Sequence, residues 1–573
     1  MAKYSGAELV VRALEDEGIR FAFGIPGTHN IELYDALATS EKVRTVLITD
    51  EQSAGFMADA VWRSNGELAC ANVVPGAGLT HALSGIAEAY LDGMPLLVLG
   101  CGIRRDSKFA YQLHDVDQLA IAAPVCKAVF RPDSGALIYE TIRRACALAR
   151  AGTPGPVMVE IPVDQYLFRH DVPAFTASHI EPPPVADPAA IARAVELLRA
   201  HRPLLYLGWG AAGAGTDLVR LAETLGSPVA TTITGKGVFP ERHPLFLWNG
   251  FGDAAPKFAQ TAAQACGVTL AIGCRFSEVG TGSYSCVPVG PLIHADIDPG
   301  VFGRNFPAEV TLHGDAAATV KALLAALGDA SRRDAAMEAR IRTGRTEVHA
   351  AQRNEPSADR VTPAALFDAL AAGFGPDTVY TTDSGNGTFL AMEALTLEKP
   401  GQLLAPVDYS CMGYSVPAAI GAKLARPDRP VVALPGDGAL LMTGLELLTA
   451  ASQGVAVAVF VLRDRELAQI AQFQRTAFNR KAASVLPDYD VASLAEAVGI
   501  EWLRLDTDDQ ITGVVAEAKA VTAAGRPIVV DVAIDYSRAT YFTRGVVKTN
   551  LGRLPLKDRL RFIARAVGRR FGS

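Results

Sequence analysis

Between Pro430 and Glu466 the chain reads as strand, turn, helix, strand and turn, an order that few folds accommodate. Pro430-Val431-Val432-Ala433-Leu434 is an apolar run of strand length that enters Pro435-Gly436-Asp437-Gly438-Ala439. Val455 to Leu462 is a second such run, and it enters Arg463-Asp464-Arg465-Glu466. Between them, Leu440, Met442, Leu445, Leu447 and Leu448 recur at helical spacing and predict one helix. The unit is therefore a parallel βαβ, and both acidic turns lie at strand C-termini, the edge where open parallel sheets bind ligands. Asp437 and Asp464, 27 positions apart, suit a divalent cation that bridges to a phosphate, and Gly436 and Gly438 let that ligand approach the backbone. A lone Gly-Asp-Gly is equally a plain turn, so the weight rests on spacing and surroundings.

The same alternation fills the chain. Residues 1–169 offer helices at Glu8 to Glu17, Ile31 to Leu37, Glu51 to Trp62 and after Gly76. Strands are expected at Arg20 to Ile25, Val43 to Thr49, Leu68 to Val74, Leu96 to Leu99 and Val157 to Ile161. A proline-rich connection from His170 to Pro188 leads into a second α/β unit, 189–327, with four strands starting at Leu204, Val229, Thr269 and Leu292. A charged connection, 328–362, with some helix, precedes a third unit, 363–536, and a basic tail, 537–573, with one amphipathic helix from Lys557 to Val567. The expected fold class is α/β: three doubly wound parallel-sheet domains with helices on both faces.

Composition narrows the function classes. Of 573 residues, 49% are hydrophobic and 20% charged, which suits large buried cores. A net charge of −7 leaves no electrostatic footprint for nucleic acid. The eight cysteines are scattered without a Cys-x-x-Cys, as expected of buried free thiols in a reducing compartment. Apolar runs are of strand length, and Met1 to Gly6 lacks the layout of a signal peptide, so a soluble, cytoplasmic protein without a membrane partner is expected.

Gly436-Asp437-Gly438 followed by the second acidic turn resembles the motif that binds thiamine diphosphate (ThDP) and Mg²⁺ in the ThDP-dependent decarboxylases and carboligases. Further runs strengthen the resemblance: Phe23-Gly24-Ile25-Pro26-Gly27, Asp50 to Asp59, and Met412 to Ala422. It covers nearly the whole chain and is greatest to the acetohydroxyacid (acetolactate) synthase branch. It implies a pyrimidine-binding domain, a nucleotide-fold middle domain and a diphosphate-binding domain, in that order.

The resemblance also implies roles. Glu51 stands where the family has the glutamate that protonates the pyrimidine ring at N1′; read alone, it is an acid favoured at a helix N-terminus. Met412, otherwise an ordinary core methionine, would prop the cofactor in its reactive shape. Ser384, Gly385, Asn386, Gly387, Ser410, Gly436, Asp437, Gly438, Ala439, Asp464, Leu467 and Ala468 would hold the cofactor. Mg²⁺ would be bound by Asp437, Asp464 and the Glu466 carbonyl. Substrate contacts would come from Gly27, Thr28, His29, Gly78, Gln112 and His114 of the first domain and Gln469, Ile470 and Phe473 of the third. The two histidines titrate near neutrality and are candidates to move protons.

The chain departs from the family in several places. Asp464 replaces the usual Asn, adding charge beside a diphosphate, and Arg463 or Arg465 is expected to offset it. Phe473 stands for Trp, and Gly76-Ala77-Gly78 for Gly-Pro-Gly. The glycine-rich Gly208 to Gly215, with Arg275, Asp296 and Asp298, is a turn that can cradle a nucleotide phosphate; in relatives this domain holds FAD, ADP or nothing, and bound FAD or ADP is not expected here. The expected function is decarboxylation of a pyruvate-like 2-oxo acid followed by carboligation to a carbonyl or acyl acceptor. The alternatives are a non-ligating decarboxylase or C–C lyase, benzoylformate decarboxylase-like or oxalyl-CoA decarboxylase-like, and an inactive binding or regulatory subunit. A homodimer is the expected minimum and a homotetramer the expected assembly.

Overall fold

The computed structural model describes residues 3–571 apart from 173–174, 178–180, 329–330 and 354–355. Parts of both predicted connections therefore lie outside the described residues. Three six-stranded sheets, parallel throughout, follow one another along the chain. In the first the spatial order is Arg44–Leu47, Phe21–Gly24, Cys70–Val73, Leu96–Gly102, Pro156–Pro162, Ala128–Phe130. In the third it is Leu403–Leu404, Val379–Thr382, Val431–Leu434, Ala458–Arg463, Ile528–Ala533, Glu501–Leu505. The middle sheet adds two strands that the apolar pattern did not reveal, Phe246–Asn249 and Val310–His313, both at its edges. Central strands are buried along their whole length, as β-branched and leucine runs covered on both faces must be.

The first and third sheets reverse strand order between neighbours. Phe21–Gly24 lies beside Cys70–Val73, and Val379–Thr382 beside Val431–Leu434. Loops leaving such neighbours diverge and open a crevice. The first and third domains also share one core: Phe23, Met57 and Ile86 belong to the same buried cluster as Val416, Ile420 and Val431. Helix Glu51–Asn65 packs on helix Ser415–Ala425 so closely that a Cβ on Gly421 would lie 2.3 Å from the Met57 carbonyl oxygen.

Two local expectations change, and the helix expected in the charged connection is present. The single helix between the acidic turns is two, Asp437–Thr443 and Glu446–Gln453. They are joined by tight bonds from Leu447 N–H to Gly444 O and from Leu448 N–H to Leu445 O. The charged connection contains the long helix Ala335–Arg353. The basic tail holds two helices, Tyr541–Arg553 and Leu556–Phe571, and the second packs on Ala468–Phe478, with Arg565 4.7 Å from the Phe478 ring. No helix among the described residues is long and apolar enough to cross a membrane.

Candidate active site

At the strand-order reversal of the third sheet lies a cavity of about 140 Å³. Its wall gathers Ser384, Gly385, Asn386, Gly387, Met412, Gly436, Asp437, Gly438, Ala439, Asp464, Glu466, Leu467, Ala468, Gln469 and Ile470. Ser410 stands outside that wall, its hydroxyl sharing a hydrogen bond with that of Ser384 at 2.8 Å. Phe473 lies on the same helix as Gln469, partly buried, but does not line the cavity. Asp383, Leu434, Leu462 and Tyr536 also line it and escaped the sequence reading. Asp383 carried the only available signal, an acid at a strand end like Asp437. Its carboxylate accepts from Gly413 N–H at 2.7 Å and Ser415 N–H at 2.9 Å, tying the Ser384 loop to the Met412 segment. Burial pushes it up to about 6.

The donor set fits a metal-bound diphosphate. Helices Asn386–Ala394 and Asp437–Thr443 both begin at this cavity behind glycines that make no side-chain cap, leaving their first turns turned to an anion. Asn386 Oδ1, in the same wall, is buried with no partner. Gly436 has open space around it, whereas a Cβ on Gly438 would lie 2.6 Å from Leu467 Cδ2. Asp437 Oδ2 accepts from Arg465 N–H at 2.7 Å, which ties the two acidic turns together, and Asp464 Oδ1 accepts from Glu466 N–H at 3.2 Å within the second turn. Burial and the neighbouring Asp437 push Asp464 up to about 7, the behaviour of two carboxylates that need a cation between them.

The expected charge compensation by the flanking arginines is not what the structure contains. Arg463 is held by Asp531 through two bonds of 2.7 Å, and Arg465 reaches the exposed Asp488 at 3.3 Å. The side chain that does lower Asp464 electrostatically is Arg360, which sequence spacing gave no reason to consider.

The first-domain candidates form a second cluster, at the strand-order reversal of their own sheet. A Cβ on Gly27 would meet Val74, and one on Gly78 would meet Val74 and, at 3.2 Å, Glu51 Oε1. The His29 and His114 rings pack edge to face at 5.4 Å, and Thr28 Oγ1 lies 3.1 Å from His29 Nδ1. Burial and His114 lower His29 from its ordinary value, so it is neutral more readily than expected. Gln112 sits half-buried two residues before His114. Glu51 begins helix Glu51–Asn65, is buried, and lies 3.4 Å from His81 Nδ1.

Glu446 links the clusters within the chain. Glu446, buried at the start of the helix after the Asp437 helix, accepts from Thr49 N–H at 3.0 Å, Thr49 Oγ1 at 2.8 Å and Asp50 N–H at 3.2 Å. It braces the turn that presents Glu51. In the middle domain, a Cβ on Gly208 would collide with the Gly273 carbonyl, so that glycine serves close backbone packing. Arg275 pairs with Asp408 at 2.9 Å.

Sequence models of three thiamine pyrophosphate enzyme domains match in order: the N-terminal TPP binding domain over residues 4–121, the central domain over 191–323 and the C-terminal TPP binding domain over 383–532. A probable acetolactate synthase large subunit of Methanocaldococcus jannaschii is 32% identical, covering 93% of this chain and 92% of that protein. An acetolactate synthase isozyme 3 large subunit of Escherichia coli is 30% identical, over 94% of this chain and 96% of that one. The acetolactate synthase large subunit of Haemophilus influenzae is 28% identical, over 94% and 96%.

Proposed function

The chain belongs to the thiamine pyrophosphate enzymes, and on that premise we propose that it is an acetolactate synthase-like carboligase. It decarboxylates a pyruvate-like 2-oxo acid and joins the resulting carbanion equivalent to a second carbonyl or acyl acceptor. One observation carries the reading: two carboxylates, two uncapped helix starts and Met412 meet in a single cavity at the strand-order reversal of the third sheet. Bound ThDP supplies the nucleophilic carbon and the electron sink.

In this reading Asp437 and Asp464, with the Glu466 carbonyl, hold Mg²⁺ against the diphosphate. The N-termini of helices Asn386–Ala394 and Asp437–Thr443 hold the phosphate oxygens, and Met412 packs under the cofactor. Glu51 gives its proton to the pyrimidine nitrogen and takes it back. Thr28, His29, Gln112 and His114 face the substrate, with Gln469, Ile470 and Phe473 closing the pocket from the third domain.

Among the described residues, none of the first domain lines the cofactor cavity of the same chain. A second copy that brings its Glu51 cluster to this cavity completes the site, which makes a homodimer the minimum and a homotetramer the proposed assembly. The relatives named above carry the words large subunit, so a smaller companion chain is a candidate partner.

The deciding experiment incubates the purified enzyme, ThDP and Mg²⁺ with a panel of 2-oxo acids and identifies products by mass spectrometry. An acyloin or acetohydroxy acid supports the reading. Free aldehyde alone would mean a non-ligating decarboxylase, which the altered pocket residues, Phe473 among them, keep in view. Failure to bind ThDP stoichiometrically in calorimetry would mean an inactive subunit.

A further inference from the structure

His81 has no part in the cofactor or substrate contacts above, yet it touches the group on which they depend. It stands in the second turn of helix Ala77–Asp92, and its Nδ1 lies 3.4 Å from Glu51 Oε2. The other carboxylate oxygen, Oε1, rests over Gly78, where a Cβ would lie 3.2 Å away. One helix thus places both oxygens: the glycine makes room, and the histidine three residues on shares its face. The two side chains differ widely in exposure, 11% for Glu51 and 65% for His81. The imidazole therefore stands between a buried carboxyl and water. The Asp50 carboxylate also lies within 4.8 Å of the ring, but its Oδ1 accepts from Gln52 N–H at 3.0 Å as the cap of helix Glu51–Asn65. Glu446 lies behind Asp50, accepting from its N–H, and Tyr34 senses the Glu51 charge from the other side of the carboxyl.

Decarboxylation of a 2-oxo acid anion consumes a proton whichever product forms. The bond to the carboxylate breaks and CO₂ leaves. The electron pair left on carbon ends in a new C–H bond or, after ligation, in a new C–C bond whose acceptor oxygen is protonated. Either way one proton enters from water for each CO₂ released. Under the proposed function Glu51 gives and regains a proton in every cycle, and its burial keeps it from trading that proton with water directly. We propose that His81 is the relay between Glu51 and solvent. Its imidazolium hands the Nδ1 proton to Glu51 Oε2 and takes up another from water, and the same contact runs in reverse when Glu51 must be emptied. The relay rests on the proposed role of Glu51, and it serves ligating and non-ligating decarboxylation alike.

The test compares His81→Ala and His81→Asn with the wild-type chain, each loaded with ThDP and Mg²⁺. Calorimetry is expected to show ThDP bound by both variants within about threefold of wild type. Their kcat is expected to fall at least about tenfold with KM little changed, and to fall further as pH rises and hydronium grows scarce. Imidazole in the buffer restores most of the rate of His81→Ala, which it would not do for a merely structural gap. A second readout needs no cofactor. Diethyl pyrocarbonate modifies neutral imidazole, and mass spectrometry of the His81 peptide gives the rate at a fixed pH. In the cofactor-free chain that rate is expected to be at least about twofold higher in Glu51→Gln, because the imidazolium loses its anion. Wild-type kcat in both variants, a slow His81→Ala that imidazole does not rescue, or equal modification rates would each overturn the relay while leaving the proposed function in place. A wild-type chain that binds ThDP and turns over no 2-oxo acid would overturn the proposed function, and the relay would fall with it.

Discussion

Arg463 and Asp531 form a two-limbed, buried ion pair, 2.7 Å on each limb, that removes the arginine next to Asp464 from the metal turn. Asp464 consequently faces Asp437 with Arg360 as the cation that lowers it, while Arg463, held by Asp531, acts on Asp437 instead; a bound metal relieves the repulsion that remains. Asp464→Asn is expected to preserve ThDP retention or tighten it by up to about tenfold, around 1.4 kcal/mol, by removing that repulsion. The wild-type chain is expected to lose ThDP more completely on chelation of Mg²⁺ than the variant does. Equilibrium dialysis of ThDP with and without EDTA checks this; complete loss of cofactor in Asp464→Asn would contradict it.

Glu51→Gln keeps the shape of the buried side chain and removes its proton. Turnover is expected to fall at least about a hundredfold, the usual weight of a positioned acid–base group. The fold should survive, since the ion pair that Glu51 makes is with His81, whose side chain is largely exposed. Steady-state kinetics beside a thermal melt decides it, and near-normal turnover would sink the assignment.

Glu446→Ala strands the Thr49 and Asp50 N–H groups that its carboxylate receives. Thr49 is exposed and Asp50 half-buried, so water takes part of the lost acceptor's place and the cost is about 1–3 kcal/mol, and the turn before Glu51 loses its brace. The expected kinetic signature is a fall in kcat of about tenfold or more with KM little changed, because the acid is misplaced while substrate contacts persist. Glu446→Gln, which retains an acceptor oxygen, should restore most of the rate. Equal losses in both variants would show that the carboxylate charge, not the brace, matters.

Glu88 is buried beside Asp92, and burial together with that neighbour pushes its carboxyl up to about 9, while it accepts from Cys411 N–H at 2.8 Å. Arg63 opposes the shift and Asp59 adds to it. The folded chain thus keeps a proton that the unfolded chain surrenders at ordinary carboxyl pKa. Stability attributable to this group therefore falls as pH rises from that ordinary value towards about 9 and is level above it, by at most about 1.4 kcal/mol per pH unit. Glu88→Gln, neutral throughout and still able to accept from Cys411, should melt higher than wild type near about pH 8 and alike near about pH 4. Parallel Tm–pH curves for the two proteins would refute the shift.

Periodicity alone was enough to locate the parallel βαβ units, because strands buried on both faces and crossover helices leave different spacings of apolar residues. Gly436 to Ala439 and Asp464 could be found the same way, since a ligand edge needs small or acidic residues just after strands, whereas Ser384 to Gly387 came from the family resemblance. What lay beyond reach shares one cause: it depends on where distant segments meet. Strands Phe246–Asn249 and Val310–His313 exist because neighbours pair with them, and their own patterns are too short to declare it. Arg463 was a plausible counterion by adjacency, yet its partner is Asp531, on the next strand of the sheet. Glu446 looks like one more helix residue until its carboxylate is seen on the turn before Glu51.

The Asp437–Asp464 pair shows where the boundary runs. The sequence by itself determined that two carboxylates follow apolar strand-length runs of one βαβ unit, the first of them beside glycines, because apolar spacing separates strand from helix along the chain. Only the tertiary structure decided what surrounds them: backbone N–H bonds on both, burial that raises Asp464, Arg463 turned away, and a cavity whose wall lacks every described first-domain residue. Electrostatic partnership and cavity shape depend on ångström distances between segments far apart in the chain, and local spacing carries no record of those distances.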